Sequence, residues 1–200
     1  MDEKVQAVLD AYHARMREEE KDSPENPGWL DRVLLPVGPE TGRLINIVAR
    51  RLETPTMLEL GTSYGYSGIW LGEAARASGG RLISMELQDY KSRYAREMAT
   101  KAGLADYIDH RVGDAVAMIG ELPHGIDFVL VDLWKDLYVP CLEAFYPKLN
   151  PGAIIVADNM TRPGGEDVRR YSREIRAKPG ISSVLLPVGS GIEVSRYLPG

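Results

Sequence analysis

The chain carries one cysteine, Cys141, and only three histidines, His13, His110 and His124. A single thiol excludes an internal disulfide and any cysteine-based metal site, and a reducing compartment fits it. Cys141 is read as helix packing rather than as a reactive thiol. Long apolar runs are missing too: none approaches the ~20 residues that a membrane span needs. The opening MDEKVQAVLDAYHARMREEEK is charged throughout and lacks the apolar core of a signal peptide. Positive charge is not in excess, and a net charge of −5 gives no general pull toward nucleic acid. Repeats and low-complexity tracts are absent. These absences leave a cytoplasmic globular protein whose 200 residues suit one domain.

What is present alternates. Val5, Val8, Leu9, Tyr12 and Met16 fall at helical spacing, and Asp22 to Gly28, with two prolines, breaks that helix. Residues 40–53 predict a second helix, with Leu44, Ile45, Val48 and Leu52 on one side. Strands and helices then take turns: strand Met57–Leu60, helix Gly65–Ala77, strand Arg81–Glu86, and a helix capped by Asp89 with Tyr90, Tyr94 and Met98 on one face. Tyr107–Val112 is a third strand, Asp114–Ile119 a short helix, and Ile126–Asp132 the most apolar strand, which looks central. A helix over Asp136–Leu149 and a Pro151-Gly152 turn lead into a fifth strand, AIIVAD. A helix over Glu166–Lys178 precedes two last strands, 181–187 and 191–198. Such alternation predicts an α/β fold, a parallel sheet with helices on both faces. The turn through Gly189-Ser190-Gly191 is too short for a parallel crossover, so the closing pair is antiparallel.

In such sheets ligands bind beyond the C-terminal strand ends, near the point where strand order reverses. The ends here are Gly61, Glu86, Gly113-Asp114, Asp132 and Asp158-Asn159, nearly all with an acid at or beside them. After the first strand, Glu59-Leu60-Gly61-Thr62-Ser63-Tyr64-Gly65 has small residues that let backbone approach a ligand. A dinucleotide fingerprint fails, because Ser63 and Tyr66 stand where glycines are needed. A nucleophile elbow at Ser63 fails as well, because no histidine follows Asp132 or Asp158. An adenosylmethionine loop and a plain tight turn stay open. Glu86, 25 residues after Gly61, is placed to accept both ribose hydroxyls of a nucleoside. Asp114 lies near the adenine or simply caps its helix.

Asp132 and Asp158-Asn159 form the strongest constellation. Neighbouring strands lie roughly 5 Å apart, so their tips can share one ion. Two carboxylates and an amide are hard oxygen ligands, which selects Mg²⁺, Mn²⁺ or Ca²⁺ over zinc and leaves positions for a vicinal diol and water. Lys135 follows in DLWKDLY. Beside a cation a lysine gives up its proton more readily, and it can then deprotonate a hydroxyl; otherwise it is a surface lysine opening a helix. Trp134 is an aromatic wall over the cofactor or part of the core.

ELGTSYGYS, the strand ending in Glu86, the heptapeptide DLWKDLY and the tetrapeptide ADNM together resemble the cation-dependent O-methyltransferases, the catechol and caffeoyl-coenzyme A enzymes. The resemblance runs from about Val37 to Tyr197. It implies a Rossmann-like seven-stranded mixed sheet with the last strand antiparallel. An N-terminal helical segment (1–54) would cover the cofactor site of a core at 55–200. It implies metal ligands at Asp132, Asp158 and Asn159 and a general base at Lys135. Contacts to S-adenosylmethionine are implied at Glu59, Gly61, Ser63, Tyr66, Ser67, Glu86, Ala115, Asp132 and Trp134, with Val37 and Thr41 where the N-terminal segment closes over the cofactor. The partner expected is a small aromatic diol. Two features depart from the family: no acid stands near Leu185-Leu186, where the catechol enzyme has a late glutamate, and the segment after Asn159, MTRPGGED, is short. Bacterial members are often dimers, so a homodimer is open. A rival reading is tRNA methylation through Arg162, Arg169, Arg170, Arg173, Arg176 and Lys178; against it, Val168, Tyr171 and Ile175 mark the buried face of that helix and leave the arginines on its solvated face. A scaffold without catalysis is the other rival, and the intact lysine and oxygen ligands argue against it.

Overall fold

The computed structural model describes residues 2–19 and 33–200, so the expected break between Asp22 and Gly28 lies outside the described residues. The described chain forms one seven-stranded mixed sheet in the order β3-β2-β1-β4-β5-β7-β6. Its strands are β1 (Thr56–Leu60), β2 (Arg81–Glu86), β3 (Ile108–Val112), β4 (Ile126–Val131), β5 (Leu149–Ala157), β6 (Ile181–Leu186) and β7 (Ile192–Tyr197). The first five run parallel, and β7 lies antiparallel between β5 and β6. The helices are α1 (Glu3–Glu19), α2 (Pro39–Ala49), α3 (Tyr66–Ser78), α4 (Asp89–Lys101), α5 (Ala115–Glu121), α6 (Tyr138–Phe145) and α7 (Glu166–Ala177).

Successive residues of a strand point to opposite faces, and each face of this sheet is apolar. Met57, Leu82, Phe128, Leu130 and Val156 meet α1 to α4 on one side. Leu58, Leu60, Ile83, Val129, Val131 and Ile155 meet α5, α6 and α7 on the other. The apolar face of α1, with Val5, Val8, Leu9 and Tyr12, is buried against its own domain.

Four local expectations are corrected. Asp89 does not cap α4: Gln88 holds the cap position without a side-chain bond, while Asp89 sits in the first turn and pairs with Arg93 at 3.0 Å. The acid still favours the positive end of the helix. The face of α4 also differs, since Met98 is buried but Tyr90 is exposed. The helix expected over Asp136–Leu149 is shorter, because 3₁₀ turns at Lys135–Leu137 and Tyr146–Lys148 flank α6. Leu149 already belongs to β5, opposite Ile126, and the β4–β5 register then shifts before Phe128 meets Ile154. Pro151 and Gly152 fall within that irregular stretch; a proline cannot donate to the ladder, so a strand accommodates it where pairing lapses.

The basic face of α7 is largely tied to acids. Glu166 takes Arg169 and Arg173, and Lys178 reaches Glu143. Arg176 bonds Glu193, which is buried on β7 and also accepts from Ser183 and Ser172. Replacing Arg176 with Met leaves a buried carboxylate short of two donors. The expected loss is about 1–3 kcal/mol in urea unfolding, at the lower end because Arg176 is partly solvated. An unchanged unfolding midpoint would show that Ser172 and Ser183 suffice.

Candidate active site

Strand order reverses between β1 and β4, the crevice where ligands of open α/β sheets sit. The turn that leaves β1 is pulled toward β2: the amides of Gly61 and Thr62 both donate to the Met85 carbonyl, at 3.0 and 3.1 Å. Gly61 has φ +97°, and a Cβ there would overlap the Asp132 carbonyl oxygen and lie 3.0 Å from the Leu133 Cα. Only glycine lets the tips of β1 and β4 approach this closely. Ser63, at φ +47°, aims its amide at Glu86 Oε2 at 2.7 Å, and Gln88 donates to Oε1 at 2.9 Å. The Ser63 hydroxyl donates to the Leu34 carbonyl at 3.2 Å, with no histidine engaged. Gly65 closes the turn through its amide to the Thr62 carbonyl at 2.8 Å and opens α3, whose first amides have no partner within the helix. A glycine turn after β1, a helix start whose first amides lack partners within the helix and a carboxylate at the end of β2 together fit the amino-acid and ribose ends of a nucleoside cofactor.

Beneath this turn lies Glu59, fully buried. Ser84 bonds its Oε2, and Thr62 and Ser84 share a hydroxyl contact at 2.6 Å. Glu59 Oε1 has no partner among the described residues. Burial pushes the carboxyl up to about 7, with hydrogen bonds from Ser67 and Ser84 working against it and the Glu86 charge adding to it. Thr62 and Ser84 were not singled out from sequence. The available signal was one small polar residue inside the apolar strand RLISME.

The second half of the site is built by β4 and β5. Leu60 pairs Val131, and Val131 pairs Ala157, so Asp132 and Asp158 are the next residues on adjacent strands. Asp158 is 1% exposed, and neither carboxylate oxygen has a partner among the described residues. Burial pushes its carboxyl up to about 6, against the Lys135 charge. Asp132 is also raised, by burial and by the Asp158 charge, and Lys135 opposes both. Asn159 is left-handed at φ +57°, a conformation asparagine tolerates. Lys135 Nζ donates to Asn159 Oδ1 at 2.6 Å, to the Tyr138 hydroxyl at 2.7 Å and to the Leu133 carbonyl at 3.2 Å, and it stands 3.5 Å from Asp132 Oδ1. The Tyr138 hydroxyl in turn donates a hydrogen bond to the Asp158 backbone carbonyl at 3.1 Å. Among the described residues no group of three or more His, Cys, Asp and Glu is placed to hold a metal. The candidate set is two carboxylates and one amide. The two bare oxygens of a buried Asp158 suit a hard cation, and the oxygen-only chemistry suits Mg²⁺.

The remaining expected residues divide. Ser67, Val37 and Thr41 are buried, and the Thr41 hydroxyl has no partner among the described residues. Asp114 is a helix cap, its Oδ1 accepting from the Ala117 amide at 2.8 Å, with Ala115 the first residue of α5. Trp134 is 56% exposed, so it is not core. Tyr66 is the first residue of α3: its hydroxyl meets His13 Nε2 at 2.9 Å and its ring packs on Tyr12.

This sheet order, with a glycine turn after β1 and an acid ending β2, defines a Rossmann-like methyltransferase fold. A protein-family model described as a methyltransferase domain matches residues 58–160, from β1 to just past the Asp158-Asn159 tip. The chain belongs to this methyltransferase family. Over 152 residues it is 34% identical to a probable O-methyltransferase of Mycobacterium tuberculosis, covering 70% of this chain and 64% of that protein. It is 30% identical over 144 residues to the catechol O-methyltransferase of Sus scrofa, covering 68% and 77%. An O-methyltransferase from Bacillus cereus, solved in complex with SAH, superposes with a TM-score of 0.77 at 25% identity, over 98% of this chain and 91% of that one. The chain thus spans just under two thirds of the mycobacterial relative's length. These likenesses bear out the resemblance read from ELGTSYGYS, DLWKDLY and ADNM.

Glu59 has a consequence for stability. The folded chain keeps its proton up to about 7, while the unfolded chain releases it near 4.5. Folding therefore loses stability as pH rises across that window, the sign expected for an acid whose affinity for its proton is raised by burial. Thermal unfolding in EDTA is expected to show a midpoint that falls between pH 5 and 7.5, roughly, with a shallower fall in Glu59→Gln. Parallel curves for the two proteins would show that Glu59 is ionised in both states.

Proposed function

We propose that this chain is an S-adenosylmethionine-dependent O-methyltransferase that methylates a hydroxyl of a small catechol-like aromatic with the help of Mg²⁺, or of Mn²⁺ or Ca²⁺. The observation that carries this reading is the Asp158 carboxylate, buried with both oxygens unpartnered beside Asp132, Asn159 and Lys135. The naming of relatives as catechol O-methyltransferases supports the substrate class. The SAH in the Bacillus cereus neighbour supports the cofactor.

Asp132, Asp158 and Asn159 would hold the cation. A divalent ion bound there would supply positive charge that lowers the cost of ionising an acceptor hydroxyl. S-adenosylmethionine would supply a methyl group on a sulfonium, its C–S bond breaking as the C–O bond to the acceptor forms, with a neutral thioether as the leaving group. Lys135 Nζ would act as the general base for the proton lost by the acceptor hydroxyl. Tyr138 and the Leu133 carbonyl hold that nitrogen beside Asp132 and Asn159. Gly61 and Ser63 would present backbone to the amino-acid end of the cofactor, and Glu86 would take the ribose. Trp134, exposed just past β4, would offer a flat apolar wall to the cofactor. Holding donor and acceptor in line accounts for much of the acceleration.

Asp158→Ala, or excess EDTA, is expected to abolish methyl transfer to a catechol panel while S-adenosylhomocysteine still binds within about threefold. Lys135→Met is expected to lower kcat by about 10²- to 10⁴-fold at unchanged cofactor affinity. Full turnover after metal removal would refute the cation's role, and an undiminished kcat in Lys135→Met would remove the lysine from the chemistry.

A further inference from the structure

The segment before β1 is bound to the turn after it by three separate contacts. Tyr12, buried on α1, donates its hydroxyl to the Tyr64 carbonyl at 2.6 Å. One turn further along α1, the Arg15 guanidinium lies over the Tyr64 ring, 4.6 Å from its centroid. At the end of α1, Glu19 accepts the Leu34 amide at 2.9 Å, and the Leu34 carbonyl takes the Ser63 hydroxyl. Lys91 of α4 also lies near the Tyr64 ring, 5.6 Å from its centroid. The Tyr64 ring is therefore in reach of a cation from α1 and a cation from α4.

We infer that Tyr12 is a positioning residue for the cofactor turn and that α1 is part of the binding apparatus rather than an appended helix. This rests on the cofactor reading above, but not on the metal or the acceptor. The plainer role for Tyr12 is to fill the core, and its ring does pack among Tyr66 and Tyr94. A core role needs only the ring. The hydroxyl is spent on a carbonyl of the turn, and that turn holds a conformation that needs outside support. Ser63 adopts φ +47° without being glycine, an unfavourable conformation that persists only where the surroundings enforce it. That same conformation aims the Ser63 amide at Glu86. Tyr64 is the next residue, so holding its ring and the Tyr64–Gly65 peptide from α1 anchors the chain directly after Ser63, while the Leu34 carbonyl holds the Ser63 hydroxyl. Releasing Tyr64 lets the turn visit other shapes, and a ligand that needs one shape binds more weakly in proportion to the time spent elsewhere.

The test is calorimetric titration of S-adenosylhomocysteine into the unaltered protein, Tyr12→Phe, Arg15→Gln and the double variant, with metal omitted. Thermal unfolding and hydrogen exchange of the amides at 61–65 are followed without ligand. The unaltered protein is expected to bind. Tyr12→Phe keeps the ring and is expected to bind about five- to tenfold more weakly. Arg15→Gln is expected to bind several-fold more weakly, and the double variant less weakly than the product of the two losses, since both act through Tyr64. Faster exchange at 61–65 is expected in each. A Tyr12→Phe protein that binds within twofold of the unaltered one, whatever its melting temperature, overturns the inference and leaves the cofactor reading standing. Failure of the unaltered protein to bind overturns both.

Discussion

Two carboxylates end adjacent parallel strands inside this protein, and buried like charges repel unless a positive group joins them. Lys135 is the positive group at hand, 3.5 Å from Asp132 and closer still to Asn159. It leaves Asp158 without a single hydrogen bond on either oxygen. One ammonium serving two buried acids is an incomplete balance, and the raised affinity of both carboxyls for protons is its electrostatic expression. The rest of the site follows from that imbalance. The β1–β4–β5 register sets the acids side by side, Asn159 takes a left-handed turn that brings its amide oxygen to the lysine, and Tyr138 ties Lys135 to the backbone of β5.

A different problem is solved at the tip of β1. Here the chain must present backbone rather than charge, and the turn that does so is internally unfavourable. Its support comes from outside, through the amides bound to Met85, the Glu86 carboxylate, and the helical segment that precedes β1. The two halves meet where the Gly61 backbone touches that of Asp132. In the proposed reaction this is where donor and acceptor would face each other.

Much of this was legible in the sequence because it depends on local pattern. Apolar runs ending in Gly61, Glu86, Asp132 and Asp158 mark buried parallel strands and place the acids at one edge. The short link between β6 and β7 fixes their antiparallel pairing. What local pattern missed depends on contacts far apart in the chain. Tyr12 and Tyr64 are 52 residues apart, and nothing in helical spacing separates a tyrosine that fills a core from one that holds a turn. Ser84 reads as a stray polar residue until Glu59 is seen beside it. Boundaries slipped where proline was read as a full stop: Pro151 lies inside an irregular stretch of β5 rather than before it. Asp89 was expected to cap α4 because of its residue type, whereas the cap position fell one residue earlier.

The account stands or falls on a cation at the tips of β4 and β5. The most direct measurement is an anomalous difference map from crystals soaked in manganese chloride. The proposed site predicts one strong peak contacting carboxylate oxygens of Asp132 and Asp158 and the amide oxygen of Asn159, with Lys135 Nζ displaced from Asn159. A map with no peak there at saturating manganese, and with Lys135 still bonded to Asn159, would contradict it.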